Sequence, residues 1–264
     1  MEIGWKGRQG PPLVDLSLEL PRTWAAFAQF TAVAPLLTRA PKGDGHTVLV
    51  MPGFLASDLS TLPLRRLLGR LGYDAHGWAL GRNVGPTRAV VDGLSRAVQE
   101  IAVRSPEGKL SLVGWSLGGV YGRELARRFP ERVRQVITLG SPFNTMNLGF
   151  GATADPLPVP STALYTRSDG ICDWQTTVQR VDERSENIEV RGSHCGLGVN
   201  PAAVLAMADR LAQPAGEWAP FRPPGALRRW YPTPWSPAEH EDDAAADAAA
   251  AAAAAAAKGT AWIA

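Results

Sequence analysis

From residue 47 onward, short apolar runs alternate with longer stretches in which apolar residues return every three or four positions. The runs at 47–51, 73–78, 110–114, 136–139, 163–166 and 188–190 have the length and apolar density of strands. The stretches at 62–71, 87–103, 117–129 and 201–211 have helical spacing. Strands and helices in alternation predict an α/β fold, a mostly parallel central sheet with helices on both faces. Ahead of this pattern, residues 12–38 read as an apolar helical arm, interrupted at Pro21 and closed near Pro35. Trp24, Phe27 and Phe30 are spaced to share a face that packs on the domain. A lipid-facing role is the sharper alternative, against which stands the lack of the basic polar face of an interfacial helix. After Gln213 the pattern fades into a stretch that is Pro-rich to Pro237, then acidic, then a run of alanines at 248–257. This tail reads as extended or disordered, with the alanines favouring helix by intrinsic propensity alone. The expected organisation is a helical N-terminal arm over 1–45, one α/β domain over 46–213 and a low-complexity tail over 214–264.

Composition narrows the class. With 264 residues, 45% hydrophobic and 20% charged, the chain has a globular make-up and can bury one full core. A formal net charge of +2 without a Lys/Arg block gives no footprint for nucleic acid. The first residues lack an apolar signal core ahead of Pro11-Pro12, and no uncharged apolar run reaches the length of a transmembrane segment, so a cytoplasmic protein is expected. Two cysteines, Cys172 and Cys195, are too few for a disulfide framework and lack metal-ligand spacing. They read as buried free thiols, with a single bridge between them as the alternative.

The stretch Gly114-Trp115-Ser116-Leu117-Gly118 places a serine between two glycines where the strand at 110–114 turns into the helix at 117–129. This is the form of a nucleophile elbow, in which small neighbours let strand and helix approach while the hydroxyl projects into a cleft. Ser116 is therefore the candidate nucleophile. A serine hydroxyl needs an adjacent base, and the base needs a carboxylate to fix its tautomer. Of the four histidines, His46 precedes the first strand, His76 lies within one and His240 lies in the tail. His194 follows the last strand in the loop Arg191-Gly192-Ser193-His194-Cys195-Gly196-Leu197-Gly198 and is the candidate base. The acid is expected at the carboxyl end of the preceding strand, where Asp169 stands before Gly170, with Asp173 as the fallback. Two backbone N–H groups should face the developing oxyanion. Leu117 supplies one, and Met51-Pro52-Gly53-Phe54-Leu55 supplies the other from Phe54, with Leu55 as the alternative.

Taken together, Met51-Pro52-Gly53-Phe54, the elbow at Ser116, Ser168-Asp169-Gly170-Ile171 and Ser193-His194-Cys195-Gly196 resemble the lipase/esterase-like branch of the α/β-hydrolase superfamily. The resemblance covers about residues 46–213 and implies an α/β-hydrolase catalytic domain. Thr138-Leu139-Gly140-Ser141-Pro142-Phe143 is similar to the segment that leads to the cap in lipase-like members, and Gly81-Arg82-Asn83-Val84-Gly85-Pro86 looks like a lipase-type loop near the site, to which no chemistry is assigned. Two features depart from the pattern. Only residues around 144–160 stand where many relatives insert a helical lid, so the cap is minimal. Cys172 stands where a small aliphatic residue is expected.

The reading that follows is hydrolysis of a carboxylic ester, from a small molecule or a lipid, through an acyl-enzyme on Ser116, His194 and Asp169. No metal or other cofactor is called for. Leu55, Trp115 and Phe143 are the candidate substrate-binding residues, with Phe54, Leu117 and Trp174 as further apolar surroundings. The alternatives are acyl transfer by the same triad to an alcohol or thiol, and a non-catalytic ligand-binding protein on the same fold.

Overall fold

Among the described residues the six strands are β1 (Thr47–Met51), β2 (Asp74–Gly77), β3 (Leu110–Trp115), β4 (Val133–Leu139), β5 (Ser161–Tyr165) and β6 (Ser185–Glu189). In the computed structural model, which describes residues 11–144 and 155–235, they form one wholly parallel sheet in the order β2-β1-β3-β4-β5-β6. Among the described residues five α-helices accompany them: α1 (Leu13–Leu37), α2 (Asp58–Arg70), α3 (Arg88–Arg104), α4 (Leu117–Arg128) and α5 (Pro201–Leu211).

Successive side chains of a strand point to opposite faces, and here both faces are covered. Val48, Val50, Val113, Ile137, Leu139, Leu164 and Ile188 meet α1, α2 and α5 in one core. Leu49, Met51, Leu110, Leu112, Val136 and Ala163 meet α3 and α4 in the other. Burial on both sides is why these strands read as continuous apolar runs instead of an alternation. Each such side chain contributes roughly 1.5–3 kcal/mol of transfer free energy.

The chain enters at β1, steps outward to β2, then returns past β1 to lay down β3. Connections therefore leave the carboxyl ends of the adjacent strands β1 and β3 in different directions, which opens a crevice between them. The loop carrying Phe54 and the turn carrying Ser116 both border this crevice.

Helix α1 runs unbroken through Pro21 and Pro35, where an interruption and an end are expected from sequence. Both prolines lie on the exposed side, so water can satisfy the carbonyl that each leaves without a donor. The buried positions of α1 are Glu19, Ala26, Phe30 and Leu37. Only Phe30 of the three aromatics faces the domain, whereas Trp24 and Phe27 are exposed and meet each other edge-on at 6.4 Å.

Residues 214–235 run in extended form and a short 3-10 helix (Gly225–Trp230) against β6 and α5. Phe221 N donates to Glu186 Oε2 at 2.8 Å, Tyr231 Oη to the Ala202 carbonyl at 2.9 Å, and Trp235 N to Tyr165 Oη at 2.7 Å. The alanine run, His240 and residues 145–154 of the expected cap lie outside the described residues. Among the described residues no helix is long and apolar enough to cross a membrane.

Candidate active site

Ser116 joins β3 to α4 with φ 52° and ψ −122°, a conformation that L-residues adopt only when their surroundings impose it. Glycines on either side make the turn feasible. A Cβ on Gly114 would sit 2.2 Å from the Gly119 Cα, and one on Gly118 would sit 2.3 Å from the Met51 carbonyl oxygen. The backbone of Ser116 is further tied to β4, its N–H donating to the Leu139 carbonyl at 2.8 Å. The serine itself remains half-buried.

Asp169 leaves the carboxyl end of β5 and His194 follows β6, and their side chains meet, His194 Nδ1 to Asp169 Oδ2, at 2.7 Å. Asp169 Oδ1 accepts the N–H groups of Ile171 at 2.9 Å and Cys172 at 2.7 Å, so three donors hold the carboxylate in place. Both members of the pair are buried, with 2% and 4% of their surface exposed. Asp173 instead accepts from Gln175 N at 3.1 Å and caps the short 3-10 helix Trp174–Thr177.

Two contacts fasten this pair to the elbow. Trp115 Nε1 donates to the His194 carbonyl at 2.9 Å, and its ring lies where a Cβ on Gly198 would intrude. Gly140, next to the Leu139 that binds Ser116, has φ 54°, and a Cβ there would lie 3.1 Å from His194 Nδ1 and 3.3 Å from Asp169 Oδ2. Among the hydrogen bonds of the described residues none joins Ser116 Oγ to His194, a bond that is often loose until substrate arrives. With Nδ1 engaged by Asp169, Nε2 is the ring nitrogen left to act as a base.

Donors for an oxyanion lie nearby. Leu117 N–H is the first of α4 and has no intrahelical partner, at the positive end of the helix dipole. In the β1 loop, whose Gly53 abuts the Ser116 side chain, Leu55 N–H already donates to the Asn83 carbonyl at 2.7 Å. Phe54 N–H has no acceptor among the described residues. Asn83 is fully buried and braces that loop, its Nδ2 donating to the Pro52 carbonyl at 2.9 Å. Its Oδ1 accepts from Gly85 N and from Tyr121 Oη, both at 3.2 Å, and burial pushes the Tyr121 hydroxyl up to about 12, keeping it a donor. The sequence assigns no chemistry to Asn83. The turn it fixes is the one beside Ser116.

No family model matches the chain. Among solved structures it is similar to Aspergillus fumigatus lipase B, with a TM-score of 0.52 and 18% identity over 66% of this chain and 53% of that one. The chain has the α/β-hydrolase fold. Among curated proteins it is similar to polyketide synthase 1 of Metarhizium brunneum, 31% identical over 129 residues, and to polyketide synthase 1 of Metarhizium anisopliae, 30% identical over 129 residues. Each match covers 46% of this chain and 6% of the curated protein, so the chain spans a small part of the relatives it matches.

On this hydrolase fold the expected substrate-binding residues fall in different places. The side chains of Phe54 and Leu55 are more than half exposed at the crevice. Trp115 is occupied in holding the His194 loop. Phe143 is fully buried in the core beneath α3 and α4, with the Arg123 guanidinium 4.1 Å from its ring centroid, so it lines no open surface. Trp174 stacks on Tyr165 at 5.8 Å and meets Trp235 edge-on at 5.6 Å.

Cys172 and Cys195 are both free thiols. Burial, followed by the charge of Asp169, pushes the Cys172 thiol up to about 12, and burial with Glu19 pushes Cys195 up to about 11. One donor atom each from Asp169, Cys172 and His194 lies within 4.8 Å of the others. That set is poorly suited to a metal, since Asp169 and His194 are engaged with each other and the thiol resists the ionisation that ligation needs.

Proposed function

We propose that this chain is a serine hydrolase that cleaves carboxylic esters through an acyl-enzyme. Ser116 Oγ attacks the ester carbonyl while His194 Nε2 takes its proton, and the same proton then passes to the departing alcohol. Asp169 holds the imidazole in the tautomer that presents Nε2 and stabilises the imidazolium. Water, deprotonated by His194, releases the acid in the second half. Leu117 and Phe54 N–H groups stabilise each tetrahedral intermediate, a donor of this kind being worth roughly 2.7–4 kcal/mol.

The observation that carries this reading is the buried Asp169–His194 pair, tied by Trp115 to the strained turn at Ser116. Exposed Phe54, Leu55, Leu59, Val84 and Ile171 support an apolar acyl group, from a small ester or a lipid. Similarity to a polyketide synthase supports a second reading, in which the same acyl-enzyme is resolved by an alcohol or thiol in place of water.

Treatment of the purified chain with a fluorophosphonate, peptide mapping and assay of short and long p-nitrophenyl esters form the test. Labelling at Ser116 together with ester turnover is the expected result. A folded sample that neither labels nor turns over overturns the reading, and transfer to added acceptors in excess of hydrolysis favours the second one.

A further inference from the structure

The N-terminal helix lies directly on the two loops that carry Asp169 and His194. One face of α1, spaced at three and four residues, makes the contacts that follow. A Cβ on Gly170 would sit 2.4 Å from the Asp15 carbonyl oxygen, and one on Gly196 would sit 3.2 Å from the Ala26 Cβ. Arg22 Nη1 donates to the Ser168 carbonyl at 3.2 Å and to Asp15 Oδ1 at 2.7 Å. Thr23 Oγ1 and Ser193 Oγ are 3.0 Å apart.

At the centre of this face stands Glu19, a charged residue with 3% of its surface exposed. Its Oε2 accepts the N–H of Gly170 at 3.1 Å, and its Oε1 accepts the N–H of Cys195 at 2.5 Å. Those are the residues immediately after Asp169 and His194. One carboxylate therefore spans the two loops whose side chains meet at 2.7 Å. The chemistry of the residue fits the task, because two converging N–H donors require a side chain that accepts at both ends. A glutamine in the same place would turn its amide donors toward one of the two N–H groups.

We propose that Glu19 is a positioning residue of the candidate triad, a clamp that sets the separation of the Asp169 and His194 loops, and that the helical arm is thereby part of the active-site assembly. The proposal rests on the serine-hydrolase reading above. Displacement of a catalytic group by about 1 Å costs on the order of 10²-fold in rate, so a clamp of this kind acts on turnover more than on substrate binding.

The full-length chain carrying Glu19→Gln is compared with wild type and with Phe30→Ala, which loosens the same helix through its apolar contact but leaves the carboxylate in place. Glu19→Gln is expected to lower kcat about 10²-fold with KM changed less than about threefold, and to slow fluorophosphonate labelling of Ser116 in parallel. Phe30→Ala, at an equal or larger loss of Tm, is expected to keep most of kcat. If Glu19→Gln does not fold, Glu19→Asp serves, since it remains an acceptor but is one methylene too short to reach both N–H groups. Its kcat is expected to fall with KM retained. Wild-type kcat in the Glu19 variants, or equal kcat losses in Glu19 and Phe30 variants of equal Tm, overturns the clamp alone. A wild-type chain that is not labelled at Ser116 overturns the hydrolase reading and the clamp with it.

Discussion

Strand β3 carries two Ser-His-Asp sets, one at each end, and the better hydrogen-bonded one is not the candidate site. Near the start of β3, Ser111 Oγ and His46 Nε2 are 2.8 Å apart, and His46 Nδ1 and Asp44 Oδ1 are 2.5 Å apart. Arg134 of β4 donates to the other oxygen of Asp44 at 2.8 Å. Five residues on, roughly 16 Å along the strand, Ser116 stands in a strained turn with His194 and Asp169 paired but, among the described residues, no hydrogen bond from its Oγ to His194. Ser111 has no exposed surface, no positive φ and a place at the amino ends of the strands. Its set ties the residues before β1 to β3 and β4. A linear pattern of three bonded residues is therefore a weak mark of catalysis. Access, strain and unpaired N–H donors at the carboxyl ends of the strands are what separate the two.

Burial pushes His46 below its ordinary value against the opposing pull of Asp44. Burial also resists ionisation of Asp44, but hydrogen bonds from His46 and Arg134 outweigh it and hold the carboxyl well below the usual carboxylate range.

The largest contrast is expected at the serines. Ser116→Ala should lower kcat about 10⁶-fold with little change in Tm. Ser111→Ala should keep kcat within about threefold and lose about 1–3 kcal/mol of stability, since His46 Nε2 is left buried without its partner. Comparable inactivation of the two variants in parallel kinetic and melting measurements would break the distinction. The acids come next: Asp169→Asn should cost about 10⁴-fold in kcat. Asp173→Asn and Asp44→Asn should leave kcat nearly intact, the latter with a lowered Tm. Full activity of Asp169→Asn would move the acid to Asp173. The smallest effect is in pH. Unfolded His46 binds a proton near pH 6.5, whereas the folded residue binds it only at lower pH. The unfolded state thus holds more protons in that window, and stability falls as pH drops below about 6.5, by at most about 1.4 kcal/mol per pH unit. Urea denaturation of wild type and His46→Gln at pH 7.5 and 5.5 should show a shallower loss in the variant. Equal losses would mean that the buried histidine takes up its proton without penalty.

Where a residue acts through its own chemistry or its neighbours in sequence, the chain is readable. The elbow glycines, the strand ends and the candidate Ser116, Asp169 and His194 all carry local marks. β6 is not readable in this way. Expected only over 188–190, it runs Ser185–Glu189 and is buried throughout, although four of its five residues are polar. Their partners lie eight to 35 residues away: Arg210 and the Phe221 N–H for Glu186, Gln179 for Asn187, Tyr165 and Arg167 for Glu189. The same holds for β4, which begins at Val133, ahead of the apolar run, with Arg134 buried against Asp44. In α1 the usual rule is inverted, since Glu19 is buried while Leu13, Leu20 and Trp24 are exposed. No helical periodicity could single out Glu19, because the two N–H groups that solvate its carboxylate lie about 150 and 176 residues away.

The two thiols beside the candidate triad bear on chemical selectivity. Burial pushes the Cys172 thiol up to about 12 and the Cys195 thiol up to about 11, so both stay protonated at pH 8. Alkylating agents and mild oxidants act on thiolates, so iodoacetamide or dilute peroxide should pass over both cysteines at that pH. An electrophile offered at that pH is expected to leave both thiols unmodified, so a label on the chain is to be sought at the candidate Ser116.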